Sequence, residues 1–154
     1  MIPLFLQSAL KAKIESVLDG RLLSSQEEKL KKIPVFEQHL PRKVKSTSRN
    51  PDNTNYPCVV VYLDEWESGQ AKILFIVATH DDSDDNQGYK DAVNIAERVN
   101  QELVRNPMID ERFELQDTPK WHYSDQENYP FFFAWGETYW TIPRVERDDV
   151  EAMI

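Results

Sequence analysis

The chain has 154 residues, enough for one domain, 1–154, that buries roughly 70% of its unfolded surface. Twenty-seven acidic residues against eighteen basic ones give a formal charge of -9, which argues against a phosphate backbone as partner and so against nucleic acid. Cys58 is the only cysteine, which excludes an internal disulfide and a thiolate-rich zinc cage and suits a reducing compartment.

The opening stretch MIPLFLQSALKAKIESVLDG lacks a basic leader, and its apolar run breaks at Gln7 and Lys11, short of a membrane span, so the reading is a soluble intracellular product. Leu6, Ala9, Leu10, Ile14, Val17 and Leu18 recur at helical spacing, with Pro3 suited to the first turn and Gly20 to a stop. In the next segment Ser25 and Glu28 stand at capping-box spacing, in a stretch short enough for a helical turn or a simple connection. IPVFEQHL, 33–40, reads as a short strand closed by Pro41. Residues 41–56 form a long loop with a basic excess through Arg42, Lys43, Lys45 and Arg49, a candidate contact arm.

YPCVVVYLDEWE and AKILFIVATH, joined by SGQ, predict a β-hairpin with its turn at Ser68 and Gly69. From Gly88 to Asn106, the residues Tyr89, Ala92, Val93, Ala96, Val99 and Leu103 mark one face of a second long helix, stopped by Pro107. RFELQ and KWHYS read as edge or hairpin strands, and FFFAWGETYWTIP as a longer one. Residues 144–154 read as a flexible acidic tail. Strands cluster around two helices instead of alternating with them, which predicts an α+β fold: a mixed or antiparallel curved sheet with the two main helices packed on one face. The hairpin strands are apolar on both alternating faces. In the last strand Phe131, Phe133, Trp135 and Tyr139 share one side and Phe132, Ala134, Trp140 and Ile142 the other. One sheet face is therefore short of cover, and either the sheet curls on itself or another subunit covers it.

THDDSDDNQGYKD, 79–91, raises the question of a metal. Counted from Asp82, ligands at Asp84 and Asn86 fit a calcium loop of the EF-hand type. Its sixth and twelfth positions are Gln87 and Val93, where the loop requires Gly and a bidentate acid. The stronger reading is a helix N-terminus, with Asp85 or Asn86 as N-cap and the aspartates in the positive end of the helix dipole. His39, His80 and His122 are scattered, Cys58 opens an apolar strand as a small buried residue would, and no Gly-rich phosphate loop is present. No catalytic, metal or cofactor site is expected. The rival from another class is a metal-dependent hydrolase using His80 with Asp81, Asp82, Asp84 or Asp85, and a third reading is a generic protein-binding module.

VFEQHLPRK at 35–43, DDSDDNQGYKDAVNIAERV at 81–99, NP at 106–107 and YPFFFAWGETYWTIP at 129–143 together resemble the tail terminator, or tail-completion, proteins of long-tailed bacteriophages and their integrated prophages. The resemblance runs from about the first helix to Pro143, and its most specific element is DDNQGYKD leading into a helix, followed by the aromatic strand. It implies a non-enzymatic subunit, made in the host bacterial cytoplasm and destined for the virion tail. There it assembles into a ring, a hexamer in that family, seats on the tail-tube protein, stops its polymerisation and offers a surface to a head-completion protein. Under that implication the interaction surface comprises the aromatic residues Phe131, Phe133 and Trp135, the basic arm with Arg42, Lys43, Lys45 and Arg49, and the acidic loop with Asp81, Asp82, Asp84 and Asp85.

Overall fold

The computed structural model describes residues 1–19, 33–40, 56–81, 88–124 and 129–144. In chain order the elements are α1 (Ile2–Leu18), β1 (Val35–Glu37), β2 (Cys58–Glu67), β3 (Gln70–His80), α2 (Tyr89–Arg105), β4 (Met108–Ile109), β5 (Phe113–Leu115), β6 (Lys120–Tyr123) and β7 (Phe131–Thr141). The expected α+β class is what forms. Seven strands make one mixed sheet in the order β1-β2-β3-β7-β5-β4, with β6 also paired to β7, and the sheet is curled into a half-barrel.

The predicted hairpin is present, with Glu67 opposite Gln70 and a turn at Ser68 and Gly69, the latter at φ 90°, a backbone region that glycine enters without steric cost. A bulge between Leu63 and Glu65 adds twist to β2. β7 then lies antiparallel along the whole of β3, from Gln70↔Thr141 to His80↔Phe131. Its other edge is shared, Ala134 to Glu137 pairing with β6 and Trp140 to Thr141 with β5.

Both helices cover one face, α1 on β1 and β2, α2 on β3 and β7. The core joins Leu6, Leu10, Ile14 and Leu18 of α1, Ile95, Val99 and Leu103 of α2, and the alternating strand residues Val59, Val61, Ile73, Phe75, Val77 and Trp140. α2 is rotated from the face predicted for it: Ile95 is buried, while Tyr89 and Val93 are exposed. β1 is shorter than the predicted strand, because Gln38 turns to φ 66° and ends it. Its side-chain amide then takes over the ladder, accepting from the Leu63 N–H at 2.8 Å and donating to the Leu63 carbonyl at 3.0 Å. Gln7, buried within α1, donates to both Gln38 Oε1 and the Val61 carbonyl at 2.8 Å, so both amide N–H groups of the polar residue that interrupts the apolar run of α1 are used.

The Thr138 hydroxyl donates to the Ile73 carbonyl at 2.7 Å and accepts from the Trp140 indole N–H at 2.8 Å, all within the core. Thr138→Val keeps the shape and removes this relay, leaving a buried indole N–H without its acceptor. The expected loss is about 1–3 kcal/mol in denaturant unfolding. Thr138→Ser, which keeps the hydroxyl, loses less.

Candidate functional site

The face of the sheet away from the helices is built from the alternate residues of the same strands. Register places Phe36, Val60, Ile76, Trp135 and His122 in one row across β1, β2, β3, β7 and β6. The neighbouring row runs through Cys58, Ala78 and Phe133, and the next joins His80 to Phe131. Phe131, Phe133 and Trp135, the predicted contact residues of the last strand, therefore stand side by side on this face, each half-buried. Their rings are used locally: Phe131 packs on Tyr56 at 4.9 Å and on His80 at 5.0 Å, and Trp135 stacks on His122 at 5.5 Å. Beneath them Cys58, Val60 and Ala78 are buried without belonging to the core under the helices. The expectation of two apolar faces holds, and the sheet's curl and these rings supply part of the cover.

The acidic stretch is placed only at its ends. Asp81 directly follows β3, and its N–H donates to the Pro130 carbonyl at 2.9 Å, extending the β3–β7 pairing by one step. Asp82, Asp84, Asp85 and Asn86 lie outside the described residues, as do Arg42, Lys43, Lys45 and Arg49, the capping box at Ser25 and Glu28, and residues 145–154. The helix start corrects the capping expectation: the N-cap is Gly88, not Asp85 or Asn86, and no side-chain capping bond is made there among the described residues. Close packing explains the choice, because a Cβ at Gly88 would stand 2.5 Å from the Phe132 ring and 2.7 Å from Asp81 Cβ. Asp91, in the first turn of α2, is the acid that meets the helix dipole.

His80 ends β3 against Phe131, His122 lies in β6, and His39 is exposed beyond β1. Among the described residues no three His, Cys, Asp or Glu side chains converge as a metal-binding group. Cys58 is fully buried, and burial pushes its thiol from 9.0 up to about 12, which suppresses the thiolate.

One constellation escaped the sequence reading. At the tip of the β2–β3 hairpin, Glu65, Trp66, Glu67, Gln70, Lys72 and Tyr139 line a cavity of about 190 Å³. The Lys72 ammonium sits 5.7 Å from the centre of the Tyr139 ring, between Asp64 at 3.3 Å and Glu137 at 3.7 Å. The hydrogen bond to Asp64 holds its pKa above the ordinary value, against the opposing effect of burial. The tip is tied to the rest of the sheet by the Ile142 N–H to the Gly69 carbonyl at 3.1 Å and by Gln116, which accepts from Gln70 and donates to Thr141. The DEWE sequence at 64–67 was its only trace.

No family model matches the chain, and no curated protein matches it. No described helix is long and apolar enough to cross a membrane.

The raised thiol pKa makes two expectations. Cys58 in the folded chain resists iodoacetamide at about pH 8 and reacts once denaturant unfolds it. Because the neutral thiol is favoured by the fold, its contribution to stability is complete below pH 9.0 and is lost as pH rises towards about 12. Tyr56, raised chiefly by burial and secondarily by Cys58, acts in the same direction. Denaturant midpoints should therefore fall on going from pH 8 to 11, and less steeply in Cys58→Ala.

Proposed function

We propose that this chain is a structural assembly subunit of the tail-terminator kind: it associates with copies of itself in a ring, caps a phage tail tube, ends the tube's polymerisation and presents a head-joining surface. Its place is then the virion tail, and its partners are the tail-tube protein and a head-completion protein. The observation that carries the reading is the aromatic face of the sheet turned away from the two described helices, where Trp135 stands in register with Ile76 and Phe36, and Phe133 and Phe131 follow in the next two rows. Aromatic residues on a rigid strand are what interface cores favour, because they bury large area at little entropic cost. The sequence likeness over 35–43, 81–99, 106–107 and 129–143 adds the kind of assembly, and the curled α+β sheet is compatible with it.

Light scattering over a concentration series, with and without tail-tube protein, tests the reading. Oligomers or capped tubes are expected. A chain that stays monomeric at high concentration and is unaltered by tube protein overturns it. Trp135→Gln should weaken association at least about tenfold while leaving a cooperative unfolding transition. A metal-dependent hydrolysis that disappears in His80→Ala would replace assembly with the hydrolase reading.

A further inference from the structure

A helix lying on a sheet ordinarily turns a polar face to water. The first turns of α1 depart from that rule. Leu6 and Leu10 are buried in the core, yet Leu4 is 51% exposed and Phe5 44%, and no charged side chain stands on α1 before Lys11. The chain that follows α2 enlarges this patch. Lys13 donates to the Asn106 carbonyl at 2.7 Å, and the Arg112 guanidinium lies 5.7 Å from the centre of the Phe5 ring, so residues 106–112 pass back along α1 towards its start. β4 lies on that path in contact with α1, and its Met108 is 51% exposed where Ile109 is buried. Leu4, Phe5 and Met108 thus make an exposed apolar patch on the helix layer, on the other side of the sheet from Phe131, Phe133 and Trp135.

A face that meets its own copy closes at a two-fold axis and stops at a dimer, whereas a ring of more than two copies joins two different surfaces of each subunit. This chain has such a pair. The charges bordering the α1 patch are taken up within the chain, Lys11 by Glu15 at 3.6 Å and Arg112 by Asp110 at 3.8 Å. At the edge of the aromatic face Glu137 stands 3.7 Å from the Lys72 ammonium and 3.5 Å from His122 Nε2. In a molecule of net charge -9, both are therefore places where copies can meet without the like-charge repulsion that opposes contact elsewhere. Their side chains suit each other as well, since the thioether of Met108 and the aliphatic Leu4 can settle against rigid rings, sulfur on an aromatic edge being favourable. We propose that the aromatic face of one copy seats on the Leu4, Phe5 and Met108 patch of the next, so that the chain associates head to tail. The inference rests on the self-association proposed above and adds to it the surface that receives the aromatic face.

The test uses two variants of the full chain, Leu4→Glu/Met108→Glu on the helix layer and Phe133→Gln/Trp135→Gln on the sheet, with association followed by sedimentation velocity in the absence and presence of tail-tube protein. Each variant alone should associate at least about tenfold more weakly than wild type. Mixed, they should form a one-to-one dimer and nothing larger, because the intact aromatic face of the first still fits the intact α1 patch of the second. Thermal unfolding checks that both variants fold. A second measurement needs no disruptive change: Leu4→Cys protein and His122→Cys protein, treated with a flexible bismaleimide, should cross-link to each other in preference to themselves, the buried Cys58 staying unreactive. Undiminished association of the helix-layer variant would mean that the aromatic face meets itself, and undiminished association of the sheet variant that the α1 patch does. Either result overturns the proposal, as does a mixture that gives no dimer or cross-linking without preference for the unlike pair, and in each case a wild type that associates leaves the assembly reading standing. A wild type that stays monomeric with and without tube protein overturns both, and head-to-tail oligomers that never cap a tube leave this contact in place and remove the tail-capping reading.

Discussion

The antiparallel pairing of β3 with β7 is the constraint on which the rest depends. All eleven residues of each strand are matched, with Phe75 opposite Gly136 and Ile73 opposite Thr138. Because side chains alternate, a slip of one residue would carry Phe131, Phe133 and Trp135 under the helices and expel Phe132, Ala134 and Trp140. The register is pinned by features that tolerate no slip. Trp121 lies flat over Gly136, where a Cβ would stand 2.8 Å from its ring, and the Trp121 indole N–H reaches Asn100 on α2 at 3.0 Å. Thr138 is the acceptor for Trp140 on the same strand and a donor to Ile73 on the next.

That register gives the two faces different thermodynamic roles. The helix-covered face has its apolar residues buried and the buried polar groups of Gln7 and Thr138 hydrogen-bonded, so it supplies cohesion. The opposite face keeps rings half-buried over Cys58, Val60 and Ala78, and its remaining apolar area is available to whatever lies against it. Lys13 helps hold the two helices together, donating to the Asn106 carbonyl at the end of α2 at 2.7 Å and facing Glu102 at 3.8 Å. Burial lowers its pKa, and Glu102 opposes that shift.

Much of this was legible because it follows from period. Helical spacing located α1 and α2, alternation located β2, β3 and β7, and Ser68-Gly69 located the hairpin turn. Three departures have physical causes. The N-cap of α2 was sought among residues that cap by hydrogen bonding, whereas contact with Phe132 selects Gly88 for its missing side chain. β4 was overlooked because its turn to β5 contains no glycine and places Asp110 and Glu111 at φ 53° and 58°, a region such residues enter infrequently. Gln7 looked like a break in an apolar face, since only the folded chain brings Gln38 and the Val61 carbonyl to it. Of the candidate surface, the aromatic side of β7 was readable from alternation alone. The hairpin cavity was not, because Glu65, Lys72 and Tyr139 come into one row only through the β2–β3–β7 register.

The same strand joins the aromatic face to the cavity at the hairpin tip. Phe131, Phe133, Trp135, Glu137 and Tyr139 are successive outward residues of β7, so the aromatic row and the hairpin cavity are fixed relative to each other. At about 3.3 Å per residue, Trp135 and Tyr139 lie about 13 Å apart along the strand. Because β7 is paired along both edges, that separation is fixed by the sheet. Glu137 lies between the two, 3.7 Å from the Lys72 ammonium and 3.5 Å from His122 Nε2, so the polar pairing of the cavity reaches the edge of the aromatic row. An interface built on this strand would bury a mixed surface, apolar towards Phe131 and charged towards the hairpin, and that asymmetry would restrict any partner to one relative orientation.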